Sequence, residues 1–310
     1  MRSKLAVLAG VGVLAVALTA CASGDAPEAS SGGASDTIVA TGDFGTTPKI
    51  EFPTPLKTDA TECSVLIEGD GEPLQDGQYV QFGMAVLNGT TGDLLQAAGF
   101  DDGAPLSLTL PKTLPGLAKG LSCATEGSRV AIVVPPDEAF GPQGDAQLGL
   151  DGTDNLVLVV DVQRAFPARA DGAVRLSQDG FPAVVLAPDG RPGITVPKSE
   201  APEEFRLETL QEGSGEVVED GDSVLVHYTG VLWDDNEVFD SSWAAGSPKV
   251  FTVGPDGQVI EGFTKALVGQ KVGSQVVAII PPELAYGDQA SASVPAGSTL
   301  VFVIDILGVI

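Results

Sequence analysis

Any fold for this chain has to accommodate the same unit twice, because its residues repeat at a spacing of 144. Pro48, Ile50 and Pro53 fall on Pro192, Ile194 and Pro197. The register runs on through Leu66, Gly69, Asp76 and Val80, which meet Leu210, Gly213, Asp220 and Val224. It then lengthens to 146, setting Gly116, Lys119, Leu121 and Gly127 on Gly262, Lys265, Leu267 and Gly273, and returns to 144 at Leu156 and Asp161 against Leu300 and Asp305. Two diverged copies of one domain, near 48–166 and 198–310 with a linker at 167–197, account for this pattern. The linker is rich in Gly and Pro and holds one short apolar run, Phe181 to Ala187, with room for a strand or hairpin. Each Pro-x-Ile-x-x-Pro leader reads as extended chain, since proline restricts its own φ and its predecessor's conformation.

In the second copy Val224, Val226 and Tyr228 alternate with other residues, so they share one face of a strand. Leu300, Phe302, Ile304 and Ile306 do the same, and Gln275 to Ile280 is an apolar strand stopped by Pro281-Pro282. A single segment, about Gly262 to Val268, has helical character. Several strands and one short helix predict an α+β domain, an antiparallel sheet packed on the helix with one face buried and one wet.

Outside the copies, Arg2 and Lys4 precede an apolar run of 13 residues, Leu5 to Ala17, too short to span a membrane and suited to a signal peptide over residues 1–20. The following Leu18-Thr19-Ala20-Cys21 resembles the lipobox of bacterial lipoproteins. That resemblance implies lipidation at Cys21 and a chain anchored on the outer, extracytoplasmic face of the cell membrane. Residues 21–47, dominated by Ala, Ser, Gly, Thr and Asp, then read as a flexible tether. With Cys21 lipidated, Cys63 and Cys123 are left, and an oxidising compartment favours a disulfide between them. Two cysteines and the single His227 are too few ligands for zinc, so no metal is expected. The 42 acidic against 16 basic residues, a net charge of −26, exclude a nucleic-acid partner. Phosphate-loop, zinc-protease and nucleophile-elbow motifs are absent from the sequence.

The second copy also contains Val226-His227-Tyr228-Thr229-Gly230, Val238-Phe239-Asp240-Ser241-Ser242, Val259-Ile260-Glu261-Gly262-Phe263, Ala285-Tyr286-Gly287 and Thr299-Leu300-Val301-Phe302. In order and spacing these blocks resemble the FKBP-type peptidyl-prolyl cis/trans isomerases. The resemblance implies two such domains, each a curved antiparallel sheet wrapped around one short helix. It also implies an apolar cup for a proline ring, built from Tyr228, Phe239, Val259, Ile260, Phe263 and Phe302, with Val294 adding wall. Asp240 and Tyr286 become the polar groups of the rim, with Tyr228 beside them. His227 alternates away from the Tyr228 face and reads as structural. Two departures stand out: Phe263 occupies a floor position that is tryptophan in many members, and Lys249 a wall position that is aromatic in many, which is expected to open that wall.

Transferred through the repeat, the rim disappears from the first copy. Met84, Leu95, Gln96, Thr113-Leu114, Leu117, Phe140 and Leu158 stand for Tyr228, Phe239, Asp240, Val259-Ile260, Phe263, Tyr286 and Phe302. Apolar bulk survives without the carboxylate or phenol, so the first copy is expected to fold and to be degenerate, catalytically weak or silent. The chain thus reads as a cofactor-independent isomerase acting on proline-containing exported polypeptides. The rival reading is a non-catalytic, chaperone-like module holding the same segments. A lipoprotein capturing a small solute finds no set of specific polar ligands.

Overall fold

The computed structural model describes residues 29–254, 257, 259–291 and 293–310. The signal peptide, Cys21 and the start of the tether lie outside the described residues. Within the first copy the chain forms β1 (Val39–Thr41), β2 (Lys49–Glu51), β3 (Glu62–Ile67), β4 (Tyr79–Asn88), β5 (Leu94–Ala98), β6 (Leu106–Thr109), α1 (Pro115–Leu121), β7 (Arg129–Val134) and β8 (Leu156–Phe166). It continues through β9 (Ala173–Val174), β10 (Ala183–Leu186), β11 (Pro192–Thr195), β12 (Arg206–Glu212), β13 (Ser223–Leu232) and β14 (Val238–Ser241). It closes with α2 (Ser242–Ala245), β15 (Lys249–Thr252), α3 (Glu261–Leu267), β16 (Gln275–Ile280) and β17 (Leu300–Val309).

Each copy is an antiparallel sheet with its last strand at the centre. The orders are β3-β7-β8-β4-β5, with β6 also on β4, and β14-β13-β17-β16-β12-β9, with β15 also on β13. The copies share their irregularities. Register shifts interrupt β4 on β8 at Gln81/Phe82 and β13 on β17 at Leu225/Val226, and they recur at Val86/Leu87 and Gly230/Val231. Bulges sharpen local twist, which is how a sheet curls around so short a helix.

The helix side of each sheet carries the residues the alternation assigned to it. Val224, Val226, Tyr228, Val276, Ala278, Ile280, Leu300, Phe302, Ile304 and Ile306 form one cluster with Phe263, Ala266 and Leu267 of α3. In the first copy Val80, Phe82, Val130, Ile132, Leu158 and Val160 meet Leu117 and Leu121 of α1.

The opposite face is not wet. Val231, Val277, Ile279, Val301 and Val303 are buried beneath Ile194 and Val196, with Val184 packed against them. Ala85, Ala131, Val133, Val157 and Val159 lie beneath Ala34 and Ile38, with Ala40 and Ile50 alongside. Two hairpins make this second layer: β1–β2 pairs Ala40 with Ile50, and β10–β11 pairs Val184 with Ile194, the same register one repeat apart. The stretch expected to be tether is therefore folded over residues 29–47. Ala34 and Ile38 are buried, and Ser35 is fully enclosed with its hydroxyl bonded to Ser64 at 2.8 Å. A few apolar side chains suffice, because each fully buried aliphatic residue contributes about 1.5–3 kcal/mol. Residues 183–195 of the linker form the equivalent hairpin in the second copy.

Cys63 of β3 and Cys123, just beyond α1, are joined as a disulfide with Cα atoms 6.5 Å apart. The copies meet along a small seam in which Phe166 packs with Leu225 and Leu307, and Tyr79 and Ile310 flank it. Arg164 reaches across to the carbonyl of Val309 at 2.9 Å.

Candidate active site

The site begins with Tyr228, which β13 points to the helix side, and with Phe302, which β17 sets in the adjacent strand. Phe263 rises from the first turn of α3 and is 3% exposed. Its ring meets Phe302 at 5.2 Å and 81° and Tyr228 at 5.8 Å and 81°, while Phe239 stands perpendicular to Phe302 at 5.4 Å. These edge-to-face pairs fix the rings and keep the space between them from collapsing. Together with Val259 and Ile260, which lead into α3, they surround an open cavity of about 220 Å³.

Polar groups stand at one side of this apolar hollow. The phenol of Tyr228 donates to Asp240 Oδ2 at 2.5 Å. Burial, reinforced by the Asp240 carboxylate, raises the Tyr228 pKa well above that of a free phenol, so the proton stays on the tyrosine. Tyr286 lines the same cavity and is 42% exposed, leaving it open to an incoming chain. Its place follows from local sequence: Pro281-Pro282 ends β16 and starts a single 3₁₀ turn, and Gly287 closes it by donating to Pro282 O at 2.8 Å.

The two serines that follow Asp240 tie the end of β14 to β13 and to α2. Ser241 caps α2 by accepting from the Ala244 amide. Buried Ser242 accepts from the Tyr228 amide at 2.8 Å and shares a 2.8 Å hydrogen bond with His227 Nδ1. His227 itself faces away from the cavity and stacks on Trp243, with ring centroids 4.0 Å apart. Burial lowers its pKa to about 4, which leaves a neutral imidazole at pH 7.

Eight of the nine residues proposed from the sequence line the cavity: Tyr228, Phe239, Asp240, Val259, Ile260, Phe263, Tyr286 and Phe302. Val294 is placed differently. It is 2% exposed and packs into the apolar cluster that includes Tyr228, Phe263 and Phe302, without lining the cavity itself. Sequence reasoning missed Phe251, which does line the cavity and meets Phe263 at 5.3 Å. Lys249 is exposed and takes no part in the wall. The signal for Phe251 was its alternation with Lys249 along β15, since residues two apart share a face. In the first copy Met84, Leu95, Leu114 and Phe140 pack onto Leu117, Leu150 and Leu158 in one apolar cluster, and Gln96 is exposed.

The sequence pattern described as FKBP-type peptidyl-prolyl cis-trans isomerase matches residues 75–163 and again 215–307, together more than half of the chain. The chain belongs to this family of isomerases. Among similar proteins, an FK506-binding protein of Streptomyces anulatus is 40% identical over 121 residues, which span 38% of this chain and 97% of that one. The FKBP-type isomerase FkpA of Escherichia coli strain K12 is 42% identical over 102 residues, covering 33% of this chain and 36% of its own. Among solved structures, the three FKBP domains of wheat FKBP73 align over 81% of this chain and 95% of that one, at 23% identity and a TM-score of 0.36. The match at 215–307 contains every wall and rim residue of the cavity, while both second-layer hairpins fall outside the two matched segments.

Proposed function

We propose that the isomerase activity of this FKBP-family chain resides in the second copy and serves exported polypeptides at the outer face of the cell membrane. The observation that carries the first part is the Tyr228–Asp240 hydrogen bond above an aromatic floor, at positions held by Met84 and Gln96 in the first copy. Peptide-bond rotation faces a barrier of about 18–20 kcal/mol because the twisted form loses resonance. The cis and trans forms of an X–Pro bond differ by only about 0.5–1 kcal/mol, so both are populated and only the rate of their exchange needs help. What lowers the barrier is tighter binding of the twisted amide than of either planar form. A proline ring seated on Phe263 between Phe239 and Phe302 puts its amide beside Asp240 and Tyr286. There the twisted carbonyl, having shed charge separation, gives up little hydration on entering the hollow. The Tyr286 hydroxyl is the donor to a substrate carbonyl, and Asp240, held by Tyr228, sets the amide-facing rim.

The export reading rests on the basic-then-apolar start of the chain, on Cys21 after a lipobox-like tetrad, and on the Cys63–Cys123 disulfide. The test of the site is a protease-coupled prolyl peptide assay on the full chain. Asp240→Ala combined with Tyr286→Phe is expected to lower kcat/KM by at least about tenfold, the loss of roughly 1.4 kcal/mol of barrier lowering. An unchanged kcat/KM would remove both residues from the mechanism.

A further inference from the structure

The turn α2 follows Asp240 directly and holds the site from behind through Ser242, yet it is gripped on its outer side by parts of the chain beyond the matched 215–307 segment. On one flank the indole of Trp243 lies between the His227 ring and the hairpin turn at Gly190. A Cβ at Gly190 would meet the Trp243 ring edge at 3.1 Å and the Arg169 stem at 2.8 Å. Arg169 in turn donates to the carbonyl of Pro188 at 3.0 Å. The Trp243 N–H is buried and has no hydrogen-bond partner among the described residues. A buried donor left unpaired costs the desolvation of that group, which the packing around the indole has to offset. On the other flank, Lys112 of the first copy extends its ammonium group to the carbonyl of Ala245, the last residue of α2. The next residue, Gly246, has φ +71°, and a Cβ there would overlap the Lys112 side chain. Lys112 is itself set by its amide, which donates to Thr109 O at 2.7 Å.

We infer that the first copy acts as a brace for the isomerase site of the second, with Lys112 as a positioning residue that clamps α2 and so the Ser242–Tyr228–Asp240 arrangement. This gives the rimless copy a role that needs no cup of its own. It rests on the assignment of activity to the second copy. A cation at the C-terminal end of a short helical turn satisfies carbonyls that would otherwise lack partners. Removing it frees α2 to drift together with Trp243.

The experiment uses the full chain in a Trp233→Phe background, where Trp243 is the single tryptophan, since the sequence has 2. Lys112→Ala is expected to shift the emission of Trp243 to longer wavelength and to lower kcat/KM about threefold, the scale of one partly exposed hydrogen bond. The thermal midpoint should stay unchanged, and Lys112→Arg, which donates to the same carbonyl, should restore both readouts. Unchanged emission, unchanged kcat/KM in an active chain, or a loss that arginine fails to restore would each overturn the brace. Should the parent chain prove inactive, the assignment of activity falls while the emission shift still decides whether Lys112 positions α2.

Discussion

Tyr228 and His227 are neighbours on one strand, and their alternation sends one side chain to the chemistry and the other to the scaffold. His227 lies opposite Asp305 in the β13–β17 pairing, and both are buried. Asp305 accepts from Gln275 Nε2 at 2.7 Å and from the Ala170 amide at 2.8 Å, with Arg169 nearby, yet burial pushes its pKa up to about 6. The two groups pull stability in opposite directions. His227 binds its proton less well folded, at about 4 against 6.5, so its contribution is lost as pH falls through that window. Asp305 binds its proton better folded, so its contribution is present below 3.8 and lost as pH rises through about 6. Relative to the parent, His227→Gln is expected to gain about 1–3 kcal/mol between pH 6.5 and 4, and Asp305→Asn to gain as pH rises from 4 to 6. Urea midpoints across that range check this. Flat differences for both variants would mean that each group has the same pKa folded as unfolded, with no shift from burial. The site was legible at this scale wherever a motif named the residue. Phe251 escaped because β15 is four residues long and opens on an exposed lysine, too short a run for alternation to fix its faces.

A helix of seven residues positions the cup floor, and the reason it can do so is a missing side chain. A Cβ on Gly262 would overlap the Ile280 side chain of β16, and the first copy repeats the arrangement with Gly116 against Val134. Gly262→Ala should therefore push α3 off the sheet, costing about 1–3 kcal/mol of stability and lifting Phe263 out of register with Phe302. Thermal unfolding and kcat/KM should fall together. A variant of parent stability and activity would show that the helix tolerates the shift. The strands and this helix were readable from period-2 alternation and from Pro281-Pro282. The second-layer hairpins were not, because Ala34, Ile38 and Ala40 are sparse apolar residues in a Ser-, Gly- and Thr-rich stretch that composition assigns to a tether, and Ile50 stands alone in an extended leader. Their signal lay in the repeat itself, in Ile50 and Ile194, and it took the shared pairing register to give it meaning.

Across the whole molecule, one of the two copies is covalently cross-linked and the other carries the aromatic cavity with its Tyr228–Asp240 pair. The first is closed by Cys63–Cys123, a link across a sequence separation of 60 residues. Reduction should destabilise that copy by about 4 kcal/mol in the chain-entropy description. With the second copy intact, isomerase activity is expected to drop only as far as it does in Lys112→Ala, as an assay with and without reductant at matched temperature would show. Complete loss on reduction would place the chemistry in the first copy or across both. The central position of β8 and β17 carries a consequence for biogenesis. In each copy the strand that stitches the sheet halves together is the one synthesised last, with β8 between β7 and β4, and β17 between β16 and β13. Neither sheet can be completed before its final strand is in place, so the copy nearer the start of the chain is able to close first and offer the later one a finished surface to dock upon.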